Sequence, residues 1–323
     1  MDHIAVTRSI VDARALGDVI AEEYDLGGPL TCKLISKMLR TQDNDHYLVR
    51  VGETKYVARL YQLGEHLKRQ ETDYRYEMEW LHFLKSKGVQ VSIPIRQRDG
   101  GNLGFVNAPE GKRFYALFSF AQGKPMSSRD EEQLFVMGQK MAEIHLLSNE
   151  FKTEQERRPM DLQYLVDEPV ERLKQFWAGK EDERLRLLLS SAEEAMVGIM
   201  SLLDNEETTP DSWGPIGGDF HPYNTHIDAG GNPTFFNFDL CGYGWRAYDI
   251  ATFLLNANLI HKSSDLSESF FSGYYSKRPL STNEHLAIAP FLTLRRVWLA
   301  GTFSTLDGVA GYTFIGPARI EGQ

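Results

Sequence analysis

The sequence of 323 residues predicts an α+β fold of two lobes, a small β-rich lobe followed by a larger, mainly helical one. Short runs of β-branched and aromatic residues, separated by polar turns, fill most of the chain before Gly123. After Gly123 and Pro125 the apolar residues recur instead at helical spacing over longer segments. We therefore expect a small lobe at residues 1–118, a hinge at 119–125 and a large helical lobe at 126–323.

The elements of the small lobe follow from these short periodic runs. In order, the sequence predicts a helix over 9–24, strands over 30–38, 47–51 and 56–61, a helix over 68–87, and strands over 89–95, 104–106 and 114–120. The 68–87 helix is amphipathic because Tyr76, Trp80 and Leu84 share one face. Gly88 follows it, at a position where a left-handed cap favours glycine.

The large lobe is expected to place helices on both sides of a short region of strands and loops. The helices are predicted over 130–148, 162–177, 182–203, 247–261, 265–275 and 283–306, and the strand and loop region over 214–239.

Composition and charge narrow the classes of function. The formal net charge of -10 argues against nucleic acid or an anionic membrane as a partner, because both require basic surface. Cys32 and Cys241 form no C-x-x-C pair, so neither a zinc knuckle nor a thioredoxin-like site is indicated. Two free thiols and an N-terminal segment without a continuous apolar stretch predict a cytoplasmic protein. The sequence predicts no oligomeric state.

A cluster of polar residues at 217–239 carries the strongest chemical signal. Residues 217–224 read GGDFHPYN, and residues 235–239 read FFNFD after a predicted turn. In phosphoryl transfer, one carboxylate orients the acceptor hydroxyl, while an amide oxygen and a second carboxylate hold Mg²⁺ on the nucleotide phosphates. Asp219 and Asn224, five residues apart on one loop, can supply the first two groups.

Two other interpretations of the same residues are open. Glycine, proline, aspartate and asparagine are also ordinary turn residues. A metal hydrolase could use Asp219, His221, His226 and Asp228 as ligands, although their spacing matches none of the usual zinc patterns.

The two motifs, GGDFHPYN and FFNFDLCGYGWRAYDIATFL, resemble those of the aminoglycoside phosphotransferase superfamily, which includes choline kinases, type II homoserine kinases and bacterial stress-response Ser/Thr kinases. The resemblance implies a bilobal protein-kinase-like fold. It also implies an ATP-dependent, Mg²⁺-requiring transfer of the γ-phosphate to a hydroxyl group. The acceptor would be a small molecule such as an aminoglycoside, an amino alcohol or a homoserine-like compound, or a Ser/Thr side chain.

The resemblance also implies roles for single residues of the large lobe. Asp219 would be the catalytic base and Asn224 a Mg²⁺ ligand, and His221 would order the loop or lie near the phosphates. Asp249 would brace the loop from below or would simply cap a helix. His145 is interpreted as a packed structural histidine.

Three residues depart from the family pattern: Gly217 replaces the usual histidine, Leu240 replaces a frequent second acid, and Asn237 replaces the metal-binding aspartate. An amide oxygen is a weaker Mg²⁺ ligand than a carboxylate. Asp239, two residues further along a predicted strand, is expected on the same face as Asn237 and could take over the metal. The alternative function is a catalytically weakened, nucleotide-binding pseudokinase.

The small lobe resembles its kinase counterpart less closely. Arg59 stands where the kinase strand carries its lysine, and Glu77 matches the helix glutamate that pairs with that cation, with Glu79 as the fallback. The loop at 40–46 is the candidate nucleotide-covering loop. Backbone groups near Ser119 and Ala121 are expected to meet the adenine edge. The acceptor site is expected between the helical segment at 150–212 and the C-terminal helices, where Arg295 and its neighbours line the cleft or belong to the core.

Overall fold

The computed structural model describes residues 4, 6–36, 44–63, 69–178, 182–203, 211–260 and 264–305. The helices are α1 (Ala13–Glu23), α2 (Glu71–Ser86), α3 (Glu131–Ser148), α4 (Glu168–Phe176), α5 (Glu183–Leu202), α6 (Arg246–Asn256), α7 (Ser264–Tyr275) and α8 (Thr282–Ser304). The strands are β1 (Leu30–Leu34), β2 (Asp45–Val51), β3 (Thr54–Leu60), β4 (Gly104–Ala108), β5 (Gly111–Ser119), β6 (Lys124–Pro125), β7 (Trp213–Ile216), β8 (Thr225–Ile227), β9 (Pro233–Phe235) and β10 (Gly242–Trp245).

The small lobe is built on a five-stranded antiparallel sheet in the order β1-β2-β3-β5-β4. The predicted hairpin between β2 and β3 is confirmed, and Gly52 in its turn has a φ of 55°, which favours glycine. α1 covers one face of the sheet and buries Leu16 and Ile20 among apolar strand residues. This core is separate from the main one and stabilises the sheet of the small lobe, including β3, which carries Arg59.

α2 belongs by packing to the large hydrophobic core that continues into the second lobe. The ring of Trp80 lies edge-on against Phe238 at 5.3 Å between centroids, and its indole N–H donates to the Ser148 hydroxyl on α3 over 3.1 Å. The second lobe is therefore joined to α2 by buried contacts as well as by the chain itself.

The large lobe is a helical assembly in which α3 packs on α7 and α8 packs against α4, α5 and α6. Gly138 of α3 and Gly273 of α7 lie where their helices approach most closely, because a Cβ at either position would collide with backbone atoms of the other helix. α8 is long and apolar enough to cross a membrane, but half of its apolar window is buried inside the molecule. Its contacts with three other helices identify α8 as a core helix.

Three predicted elements differ from the structure. The strand expected at 89–95 consists only of isolated bridges, from Val91 to Phe235 and from Pro94 to Phe118. The helix expected over 162–177 begins with a π-helical turn, Gln163–Asp167, before α4. The strand expected to reach residue 238 ends at Phe235, because Asn237 adopts a left-handed φ of 66° that no strand residue has.

Candidate active site

The loop of residues 217–224 lies between β7 and β8 and is anchored from below by α6. The backbone N–H groups of Gly217 and Gly218 donate to the two carboxylate oxygens of Asp249 over 2.8 and 2.7 Å. Asp249 lies inside α6, whose N-cap is Trp245, so its carboxylate braces the loop and does not cap the helix. Gly218 has a φ of 73°, and a Cβ there would collide with the Leu240 carbonyl.

A buried hydrogen-bonded chain extends behind this anchor. The Nε2 atom of His145 lies 3.2 Å from the Asp249 carboxylate, and its Nδ1 atom lies 2.8 Å from the Tyr274 hydroxyl. Burial raises the pKa of Asp249 to about 7, although the Gly217 and Gly218 N–H groups oppose the rise. Burial lowers the pKa of His145 well below its usual value, which keeps the imidazole neutral. His145 therefore has the predicted structural environment.

The carboxylate of Asp219 is held through one of its two oxygens. Oδ1 accepts from the Arg295 guanidinium over 2.5 Å and from the Asn256 amide over 3.2 Å. Arg295 is buried on α8, whereas about a fifth of the Asp219 side chain is exposed (21%). Among the residues the structure describes, both side-chain contacts of this carboxylate fall on Oδ1, and none falls on Oδ2.

Asn224 and Asn237 meet directly beside Asp219. The Asn224 amide donates to the Asp219 backbone carbonyl over 3.3 Å, and the Asn237 amide donates to Asn224 Oδ1 at the limit of 3.5 Å. Asn237 Oδ1 is buried and has no hydrogen-bond partner among the described residues. This oxygen can accept a hydrogen bond or bind a cation.

Asp239 turns toward the small lobe. Its Oδ2 atom accepts from Arg69 and from the Asn44 amide, each over 2.9 Å. Burial raises the pKa of Asp239, but the guanidinium groups of Arg69 and Arg59 outweigh that effect and lower it to about 2. The strand argument that put Asp239 on the same face as Asn237 is wrong, because the left-handed Asn237 breaks the alternation of side chains.

The oxygens available in this region fit a hard divalent cation. Among the described residues, Asn237 Oδ1 lacks a partner, Asn224 Oδ1 accepts one long hydrogen bond, and the side-chain contacts of Asp239 fall on Oδ2. Mg²⁺ prefers such carboxylate and amide oxygens. Only one of the three predicted metal ligands is a carboxylate.

On the small-lobe side, Arg59 and Glu77 form a buried ion pair of 2.6 Å. The Tyr61 hydroxyl also donates to Glu77, over 2.9 Å, and the Arg59 guanidinium lies 4.5 Å from the centre of the Phe118 ring. Glu79, the fallback partner, instead accepts from Thr153 outside the ion pair. The pairing of Arg59 with Glu77 is present as expected, whereas a phosphate-binding role for Arg59 stays a prediction.

The hinge and His221 make local contacts. The Ser119 N–H donates to the Ile93 carbonyl over 2.9 Å, and the Ala121 carbonyl lies 2.9 Å from Nδ1 of His226. His221 Nδ1 accepts from the Tyr223 N–H over 3.1 Å, which orders the turn Pro222–Asn224. Adenine contact near Ser119 and Ala121, and phosphate proximity of His221, stay predictions. Residues 40–43 of the candidate covering loop lie outside the described residues.

The metal-hydrolase interpretation finds no support in the described ranges. There, no three His, Cys, Asp or Glu side chains come close enough together to hold a metal ion. His226 is bound to the hinge carbonyl, and Asp228 is an exposed turn residue that accepts from the Gly230 and Asn232 N–H groups. The four candidate ligands therefore have separate local tasks.

Several residues of the site were missed by sequence reasoning. Arg69 reaches Asp239 across 170 residues and no local pattern marks it, while Asn44 lies in the candidate covering loop but its contact with Asp239, across 195 residues, was not foreseen. Asn256 was likewise not singled out. Arg295 left a signal, since it interrupts the apolar run of α8, but its contact with Asp219 could not be inferred from that run.

Comparisons with known proteins agree with this geometry. The family model of the phosphotransferase enzyme family matches residues 36–279. An uncharacterized protein of Synechocystis is 31% identical over 90% of this chain and 77% of its own length.

Two solved structures share the fold. A microcompartment-associated aminopropanol kinase superposes with a TM-score of 0.77 at 20% identity, covering 96% of this chain and 95% of that one. An amicoumacin kinase, solved with AMP-PNP and Ca²⁺, gives a TM-score of 0.72 at 17% identity and covers 97% and 94% of the two chains. The fold is thus the bilobal kinase-like α+β fold, and the chain belongs to the phosphotransferase enzyme family.

Proposed function

We propose that the protein is an ATP-dependent kinase that transfers the γ-phosphate to a hydroxyl of a small molecule, with Asp219 as the catalytic base. The observation that carries the proposal is the hydrogen-bonded group of Asp219, Asn224 and Asn237, which the loop and the segment after β9 bring together. The family supports the reaction class, since its members are phosphotransferases.

The contacts of Asp219 define its part in the reaction. Arg295 and Asn256 hold Oδ1, so Oδ2 can orient the acceptor hydroxyl and take its proton. The acceptor oxygen then bonds to the γ-phosphorus while the bond to the bridging oxygen of ADP breaks. The Gly217 and Gly218 contacts with Asp249 keep the loop in place during this step.

Asn224, Asn237 and Asp239 would hold Mg²⁺, which neutralises charge on the nucleotide phosphates. Arg59 would contact the phosphates, and the segment near Ser119 and Ala121 would border adenine. The amicoumacin kinase that shares this fold was solved with AMP-PNP and Ca²⁺, which supports a nucleotide and a divalent ion as ligands here.

The acceptor is proposed only as a class: an aminoglycoside, an amino alcohol or a homoserine-like compound, or a Ser/Thr side chain. The structural neighbour that is an aminopropanol kinase favours testing amino alcohols first. We further propose a cytoplasmic location, where ATP is available.

The test is transfer of labelled γ-phosphate from ATP to a panel of amino alcohols, aminoglycosides, homoserine and Ser/Thr peptides. Asp219→Asn should lower kcat by about 10²–10⁴-fold, because the acceptor loses its base. AMP-PNP should bind this variant as tightly as the wild type. Asp228→Asn is the matched control, since this exposed turn residue accepts hydrogen bonds from Gly230 and Asn232 within its own turn.

Transfer by the wild type that no Asp219 substitution reduces would contradict the proposal. AMP-PNP binding without transfer to any acceptor would favour the pseudokinase alternative, which rests on the departures at Asn237, Gly217 and Leu240.

A further inference from the structure

Three buried N–H donors without partners surround the cleft side of the small lobe. They are Arg59 Nε, Gln62 Nε2 and Arg69 Nη1, and none has a hydrogen-bond acceptor among the described residues. A buried donor without an acceptor is costly, so native structures rarely keep three in one region without a ligand. This cluster points to an anion rich in acceptor oxygens.

All three residues are linked to Asp239 through other atoms. Arg69 bonds it directly through Nη2, and Arg59 lies near enough to lower its pKa. The backbone N–H of Gln62 donates to Asn44 Oδ1, and the side-chain amide of Asn44 donates to Asp239. The three residues therefore cluster around Asp239, which is one of the candidate metal ligands.

Arg69 differs from Arg59 in how it is held. Arg59 Nη1 is occupied by Glu77 and Tyr61, while Asp239 holds only Nη2 of Arg69. The guanidinium of Arg69 is planar and fixed at one end, so Nη1 has a set direction before any ligand binds. Its side chain is only 6% exposed, which shields an added contact from water.

The net charge of the side chains around Asp239 also depends on which residue stands at position 237. Arg59 and Arg69 carry two positive charges, and Glu77 and Asp239 carry two negative ones. With aspartate at position 237 the net charge of these side chains would be one unit negative. Bound cations would then be needed to offset its repulsion of a triphosphate. With Asn237 the sum is neutral, which favours bare phosphate and weakens the demand for a divalent ion.

We propose that Arg69 is a phosphate-binding residue that substitutes in part for the divalent cation, so that a nucleoside triphosphate binds this protein substantially even without Mg²⁺. Asp239 positions Arg69 through Nη2, and Nη1 donates to a phosphate oxygen. This inference rests on the proposed function, because it takes the triphosphate of that reaction as its ligand.

The test is isothermal titration of the full chain with AMP-PNP, once in Mg²⁺ and once in EDTA. For the wild type we expect less than about tenfold loss of affinity on removal of Mg²⁺, since Arg69 supplies fixed charge. Arg69→Gln should weaken binding in EDTA by about tenfold or more, and by less in Mg²⁺. Asn237→Asp should enlarge the Mg²⁺ effect by restoring a carboxylate.

Arg75→Gln is the matched control, because Arg75 lies on α2 close in sequence but is exposed and forms its ion pair with Glu71 on the same helix. Thermal unfolding checks that each variant is folded. If Arg69→Gln does not fold, Arg69→Lys replaces it, because lysine keeps the charge but not the fork of donors. Its affinity for AMP-PNP in EDTA should lie between that of the wild type and a value about tenfold weaker.

Two results would overturn the inference: wild-type binding that requires Mg²⁺ completely, or EDTA affinities of the Arg69 variants equal to that of the wild type. In both, AMP-PNP still binds with Mg²⁺ and the proposed function stands. Absence of AMP-PNP binding in Mg²⁺ would instead contradict the proposed function and this inference together.

Discussion

Glu77 is a buried charged residue of α2 that pairs with Arg59 on β3. Its carboxylate is 1% exposed and accepts from both Arg59 and Tyr61. Removing one member of a buried pair leaves the other charge without compensation, which is far more damaging than the loss of a surface pair. The pair therefore has a structural task that is separate from any contact with phosphate.

Glu77→Gln should accordingly lower the free energy of unfolding by about 3–5 kcal/mol, measured by urea denaturation. Glu71→Gln on the same helix is the control, because Glu71 and its partner Arg75 are both more than two-fifths exposed (42% and 46%). The decrease in unfolding free energy for Glu71→Gln should stay below about 1 kcal/mol. Equal effects of the two substitutions would show that the Arg59–Glu77 pair is not buried in solution.

At this scale, the sequence predicted those residues whose spacing is local. Asp219 and Asn224 lie on one short loop, and Arg59 and Glu77 lie on elements that are adjacent in the chain. Arg69 could not be found in this way, because its bond to Asp239 depends on the docking of two lobes. The direction of Asp239 also failed, since a single left-handed residue, Asn237, reverses the geometry that a strand would impose.

At the scale of elements, α6 fixes the position of the loop at residues 217–224 through one carboxylate. Asp249 accepts two loop N–H groups, and it faces the neutral His145 and the charged groups of Arg246 and Asp219. Its pKa rises to about 7 from an ordinary value of 3.8, so the folded protein binds this proton more tightly than the unfolded chain. Its contribution to stability is thus full below pH 3.8 and is lost as pH rises through 7.

The difference in unfolding free energy between wild type and Asp249→Asn should therefore shrink by roughly 2 kcal/mol from pH 5.5 to 7.5. Asparagine cannot titrate, so the variant lacks this pH dependence. His145 titrates in the unfolded state of both proteins, and its effect cancels in the comparison. Urea denaturation at both pH values measures the difference.

Asp228→Asn provides the control for this experiment. Hydrogen bonds from Asn232 lower the pKa of Asp228, so its carboxyl stays ionised throughout this range and the corresponding difference should be flat. A difference between wild type and Asp249→Asn that is equally flat would contradict the raised pKa of Asp249.

The helices that position the site were predictable from periodicity, whereas their contacts were not. The predicted segments at 130–148 and 283–306 agree closely with α3 and α8, because long apolar stripes mark them. The close approach of α3 and α7 depends on Gly138 and Gly273, whose isolated positions carry no such signal. The π-helical turn before α4 likewise leaves no trace in the spacing of apolar residues.

At the scale of the whole molecule, the two lobes are fastened together by polar contacts at the cleft. Asp239 receives Arg69 and Asn44 from the small-lobe side, and Lys87 at the end of α2 pairs with Glu150 beyond α3. The sequence assigned α2 to the small lobe by its position in the chain, but its buried face belongs to the common core. An amphipathic pattern indicates that one face of a helix is buried, but it does not identify the elements against which that face packs.

Arg157 makes the most direct of these connections. Its guanidinium donates to the Asp73 carbonyl at the start of α2 and to the Asp239 carbonyl beside the site, each over 2.7 Å. The side chain is only 7% exposed, so water cannot replace these bonds without rearrangement. Arg158, the next residue, forms its ion pair with Glu168 within the large lobe and is 31% exposed.

Arg157→Ala should therefore lower the free energy of unfolding by about 3 kcal/mol, since two charge-assisted hydrogen bonds to partly buried carbonyls are lost. Arg158→Ala, the matched control, should cost about 1 kcal/mol because its pair is partly solvated. Amide hydrogen exchange distinguishes the two causes. In Arg157→Ala, exchange should rise at both the first turn of α2 and residues 236–241, because one side chain holds both. Faster exchange confined to the segment around residue 157 would mean that Arg157 stabilises only its own loop and does not join the lobes.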